Sequence, residues 1–103
     1  MTDARSEGEL TGKEKSKVHE LKAAQGRTYV IDMESQAFDT FLKLHDPAGK
    51  LIAENDDIAP DNLNSRLIFI APADGVYRII ATSFQEAGVG PYTLRIREVK
   101  GKQ

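Results

Sequence analysis

The sequence contains no cysteine and no tryptophan, and its longest apolar runs reach only four or five residues. Without cysteine there is no disulfide, no thiol nucleophile and no thiolate zinc or iron–sulfur site, while the compartment stays open. The apolar runs fall far short of the ~20 residues that span a bilayer, so no membrane insertion is expected. Residues 1–12 also lack the apolar stretch of a signal peptide. The chain is therefore either cytosolic or a domain cut from a longer export precursor. A formal charge of −2 lacks the basic excess usual in nucleic-acid binders, and no nucleic-acid partner is expected.

Catalytic signatures are missing too. There is no G-x-S-x-G elbow, no H-E-x-x-H, no G-x-x-x-x-G-K-[ST] and no G-x-G-x-x-G. His19 and His45 are the two imidazoles, and alternation assigns both to outward strand positions. No serine stands next to a recognisable activating group. Nothing in the sequence supports an enzyme.

What is present is enough for one domain. A chain of 103 residues buries roughly 60–70% of its unfolded surface, which supports a single core. Period-2 patterns dominate, and no segment carries a 3.6-residue stripe. Tyr29, Ile31 and Met33 alternate with Val30 and Asp32, as in a half-buried strand. Leu42 and Leu44 share one face, with Phe41, Lys43 and His45 on the other. Asp46-Pro47-Ala48-Gly49 reads as a four-residue turn, and Leu51–Glu54 as the return strand of a hairpin.

Further strands are expected over Arg66–Ile70, Val76–Phe84 and Pro91–Val99, and Lys17–Ala23 alternates through Val18 and Leu21. Glu9–Gly12 adds a short first strand. The fold class is all-β: an antiparallel, jelly-roll-like β-sandwich of seven or eight strands. Residues 1–12 form a linker or short edge strand, 13–99 the sandwich, and 100–103 a frayed tail.

Charge is unevenly spread. Residues 1–31 balance to +1, residues 32–61 to −6 and residues 62–103 to +3. An acidic middle is either a set of solvated loops or a site for a hard cation. Asp39 precedes one hairpin strand and Asp56 follows the other, so antiparallel pairing brings them to one end. Asp39, Asp56, Asp57 and Asp61 are thus the candidate Ca²⁺ ligands, with Asp46 at the opposite, turn end. Phe41 and Phe84 lie where alternation or a strand end leaves a ring exposed, which makes them candidate contact residues. Tyr77, Tyr92, Phe38 and Phe69 are expected in the core.

The ordered series Gly26-x-x-Tyr29-x-Ile31-Asp32, Phe38-Asp39-Thr40-x-Leu42-x-Leu44-x-Asp46-x-x-Gly49-x-x-Ile52-Ala53, Asn55-Asp56-Asp57, Asn64-Ser65-Arg66-Leu67-x-Phe69, Gly75-x-Tyr77 and Gly90-x-Tyr92-x-Leu94 resembles the bacterial pre-peptidase C-terminal domain. The Phe38–Ala53 block is especially similar to versions carried by planctomycete surface proteins. The resemblance implies a non-catalytic, jelly-roll-like accessory module of a larger secreted or envelope protein. It also implies binding to a protein or polysaccharide, with calcium in some relatives. Calcium-binding relatives often supply acidic ligands upstream of the first long strand, where this chain has Lys17, Val18 and His19. The isolated domain is expected to be monomeric. The rival reading is a structural spacer or folding-assistance domain with no ligand.

Overall fold

The structure, a computed structural model, describes residues 3–55, 64–83 and 88–99. These form eight strands: β1 (Asp3–Leu10), β2 (Ser16–Ala23), β3 (Thr28–Glu34), β4 (Thr40–His45), β5 (Leu51–Asn55), β6 (Ser65–Ile70), β7 (Gly75–Ser83) and β8 (Gly90–Val99). They build two four-stranded sheets, sheet I in the order β1-β8-β3-β6 and sheet II in the order β2-β7-β4-β5. Every pairing is antiparallel. This is the jelly-roll arrangement, in which successive strands alternate between sheets and only β4 and β5 pair as chain neighbours.

Alternation explains which side chains enter the core. Tyr29, Ile31 and Met33 of β3, with Tyr92 and Leu94 of β8 in the same sheet, meet Leu42 and Leu44 of β4 and Tyr77 and Ile79 of β7 in one buried cluster. Burying each large aliphatic side chain stabilises the fold by roughly 1.5–3 kcal/mol, so the two dry faces supply the main cohesive force. Phe69 packs edge-on against Tyr77 with ring centroids 4.9 Å apart.

The buried tyrosines keep their hydroxyls bonded. Tyr77 donates to the Ala73 carbonyl at 2.8 Å, and the Tyr29 hydroxyl accepts from the Ala24 amide at 2.9 Å. At the β4–β5 turn, Asp46 Oδ1 accepts from the Ala48 and Lys50 amides, and Gly49 adopts φ +89°. The loop has five residues, Asp46 to Lys50, one more than expected, and the register shifts between Leu44 and His45.

Two expectations are corrected here. Residues 3–10 form an eight-residue edge strand paired with β8 along its whole length, well beyond Glu9–Gly12. On β2 the parity is opposite to the one expected from Val18: Leu21 and Ala23 are buried, while Val18 is 56% exposed. Val18 and Leu21 are three residues apart and cannot share a face of a strand. The same parity carries His19 to the inner side, where it is half-buried.

Candidate functional site

The calcium residues divide between described and undescribed parts of the chain. Leu42 pairs with Asn55, so the start of β4 and the end of β5 lie at the same end of sheet II. Asp39 sits at that end, half-buried, with its Oδ1 closed off from solvent. Asp56, Asp57 and Asp61 lie outside the described residues. Among the described residues no group of three His, Cys, Asp or Glu side chains converges to hold a metal. One described carboxylate is not the six to eight oxygens that calcium takes, so the described part of the chain does not by itself fit the ion.

Phe41 points outward from sheet II but is half-buried. Its ring lies beneath the ammonium of Lys43, 5.4 Å from the centroid, because residues i and i+2 share a strand face. Phe84 lies outside the described residues. With Tyr29, Tyr77, Tyr92, Phe38 and Phe69 buried, no described aromatic ring offers an open stacking platform.

The outer face of sheet I carries a feature that the sequence reading missed. Register sets Arg5 opposite Arg95, Arg95 opposite Asp32, and Asp32 opposite Arg66, a single row across all four strands. The alternation that buries Leu94 and Leu67 turns these side chains outward. Arg66 Nε donates to Asp32 Oδ1 at 2.6 Å, and an Arg97 guanidinium nitrogen lies 3.5 Å from Asp32 Oδ2. Asp32 is only 13% exposed, and its hydrogen bond and negative charge push the Arg66 guanidinium further up from its ordinary pKa. Arg5 lies 4.0 Å from Glu7, an exposed and therefore weak contact.

Two depressions frame the row. A shallow cleft of about 760 Å³ lies on the acidic side, lined among others by Glu7, Glu34, Ser35, Asn64 and Thr93. A smaller hollow of about 360 Å³ is lined by Asp32, Glu34, Asn64, Arg66, Arg95 and Arg97. Toward the other end of the strands the face becomes aliphatic. Val30 pairs with Ile68, and Thr28 stands between Val99 and Ile70. Ile68 is 67% and Ile70 65% exposed on edge strand β6. The face thus runs from carboxylates through guanidinium groups to aliphatic side chains.

No family model and no curated protein matches the sequence. Solved structures do match the fold. The pre-peptidase C-terminal domain of a collagenase from Bacillus anthracis aligns with TM-score 0.74 and 17% identity, over 92% of this chain and 89% of that one. PliG of Aeromonas hydrophila, a periplasmic inhibitor of g-type lysozyme, aligns with TM-score 0.71 and 19% identity, over 94% of this chain and 86% of that one. The chain thus has a fold similar to that of a pre-peptidase C-terminal domain and to that of a lysozyme inhibitor.

Proposed function

We propose that the chain is a non-catalytic β-sandwich module of the pre-peptidase C-terminal type, serving a larger secreted or envelope protein by binding a protein partner. The contact surface is the outer face of sheet I. The observation that carries this reading is the Arg5–Arg95–Asp32–Arg66 row lying beside the exposed Ile68 and Ile70. Arginine is enriched at protein interfaces, and an exposed aliphatic patch is the complement that a protein surface covers.

A polysaccharide is the weaker partner, because sugar rings are usually gripped by open aromatic faces and the described rings are buried or capped. The two fold neighbours are, by their names, a domain of a collagenase and an inhibitor of a lysozyme, which supports a role outside the cytoplasm.

The test is an immobilised panel of collagens, c- and g-type lysozymes and acidic and neutral polysaccharides, probed with the labelled chain with and without calcium. Saturable binding to a protein supports the reading. Binding to polysaccharides alone contradicts it, and silence across the panel favours the spacer.

A further inference from the structure

β1 gives the core a single described side chain. Leu10 is fully buried, whereas Arg5, Ser6, Glu7 and Glu9 are exposed and Gly8 has no side chain to bury. The strand is held instead by its ladder to β8, with Glu7 opposite Thr93, Gly8 opposite Tyr92 and Leu10 opposite Gly90. Beneath it the open side of the sandwich is already bridged, because the Tyr92 hydroxyl reaches His19 Nε2 on β2 at 2.8 Å. The two sheets therefore stay tied when β1 lifts away. An edge strand with so little apolar burial opens at a lower free energy than the core.

The connection to β2 suits such a movement. Thr11 Oγ1 accepts from the Lys13 and Glu14 amides in two exposed bonds, and a Cβ on Gly12 would have nothing beyond its chain neighbours within 4 Å. At the far end, Thr82 Oγ1 donates to the Lys15 carbonyl at 2.7 Å and anchors the pivot beside β7. Extended, the five residues 11–15 span roughly 17 Å, enough to carry β1 onto a neighbouring molecule.

The edge of β8 that β1 would vacate is selective. A Cβ at position 8 would lie 2.5 Å from the Tyr92 hydroxyl oxygen, so glycine alone passes over the ring without displacing it. Two residues on, opposite Gly90, the seat takes an aliphatic side chain into the core. The β1 strand of a second copy, with Gly8-Glu9-Leu10, meets both requirements.

We propose that β8 is a strand-exchange edge. β1 of one copy leaves its own β8 and pairs with β8 of a second copy, and the second copy's β1 returns the exchange. The product is a two-fold dimer that keeps every contact of the β1 seat. It departs from the monomer expected from the sequence, and it leaves the outer face of sheet I in place, so it does not depend on the protein-binding reading.

The experiment uses the directly opposite pair Glu7 and Thr93, whose spacing across the ladder suits a disulfide. A Glu7→Cys chain and a Thr93→Cys chain are mixed reduced at millimolar concentration, warmed below their melting transitions and oxidised with diamide. Covalent heterodimer is then read by intact mass. Val18→Cys mixed with Thr93→Cys, two outward thiols that share no register, gives the collision background. The Glu7→Cys/Thr93→Cys pair should exceed that background about tenfold or more, because exchange holds its thiols together.

Gly8→Ala should then act with opposite signs. In the Glu7→Cys chain it spoils the incoming strand and should return the heterodimer to background. In the Thr93→Cys chain it unseats the resident strand, vacates the acceptor edge and should raise the yield. A heterodimer yield at background overturns the exchange, and so does a yield above background that is indifferent to Gly8→Ala in the Glu7→Cys chain. If a Gly8→Ala chain shows no folded melting curve, the comparison of the two cysteine pairs decides alone.

Discussion

His19 Nε2 on β2 lies 2.8 Å from the Tyr92 hydroxyl on β8, a hydrogen bond that ties sheet II to sheet I along the open side of the sandwich. The two rings meet edge-on with centroids 6.0 Å apart. With the imidazole neutral, Nε2 and the phenol share this one hydrogen bond, its donor set by the tautomer, and that protonation state is the one the site favours. Burial first, then the charge of Lys17, pulls the His19 pKa below its ordinary 6.5. Burial first, then Glu14, pushes the Tyr92 pKa above its ordinary 10.0.

These directions fix a pH window. For His19 the unfolded chain binds more protons than the folded one near pH 6, so its contribution is fully present above about 6.5 and is lost as pH falls through the folded value. For Tyr92 the contribution is fully present below about 10 and is lost as pH rises through the folded value. Melting temperature should be flattest between these limits. Tyr92→Phe should cost about 1 kcal/mol at neutral pH and soften the alkaline fall, and His19→Gln should soften the acid fall. Thermal melts across pH check both, and an unchanged acid limb in His19→Gln would contradict the assignment.

Gly8 is fixed by the same tyrosine. A Cβ built there would lie 2.5 Å from the Tyr92 hydroxyl oxygen and 2.6 Å from Cζ, so the ring or the strand must move. Gly8→Ala should cost about 1–3 kcal/mol and raise amide exchange along β1, measured by denaturant unfolding and hydrogen exchange. A neutral effect would mean that β1 is not seated against Tyr92.

The opposite open side is tied by a buried polar pair. Thr40 Oγ1 and Ser65 Oγ lie 2.6 Å apart, and Ser65 Oγ also donates to the Thr40 carbonyl at 3.0 Å. Ser65→Ala removes both bonds and should destabilise by about 1–3 kcal/mol. Adding Thr40→Val should recover part of that loss, since a partner left unsatisfied costs more than a pair removed together. Denaturant midpoints of the four chains in this cycle provide the check.

Calcium is tested at Asp39. If Asp39 helps to hold the ion, millimolar Ca²⁺ raises the melting temperature of the wild type and leaves Asp39→Asn unmoved. The same melting temperature with and without calcium in the wild type would remove the ion from the account.

The legible and illegible parts of the fold have different physical origins. Alternation is local, so Tyr29, Ile31, Met33, Leu42, Leu44, Tyr77 and Tyr92 were assignable to the core from a few residues each, and all are buried. Where parity conflicts, as between Val18 and Leu21, local sequence offers two answers and packing chooses. Leu67 to Ile70 are apolar without a break, yet the strand alternates, leaving Ile68 and Ile70 outside at a sheet edge.

The candidate site was less legible still. Arg5, Asp32, Arg66 and Arg95 become one row only through three long-range registers, none of which any short segment encodes. The cover on Phe41 was legible in principle, because Lys43 two residues on must share its face.

The absence of cysteine provides the most direct test of the central claim, that the module binds through sheet I. Thr93→Cys places a single thiol on the outer face of sheet I, and Val18→Cys places one on the outer face of sheet II. Each is coupled to a bulky maleimide polymer, shown by its melting curve to be folded, and tested against the protein that binds the unmodified chain. Polymer at position 93 should abolish binding and polymer at position 18 should leave it intact. Binding that survives the label at 93 and disappears with the label at 18 would contradict the account.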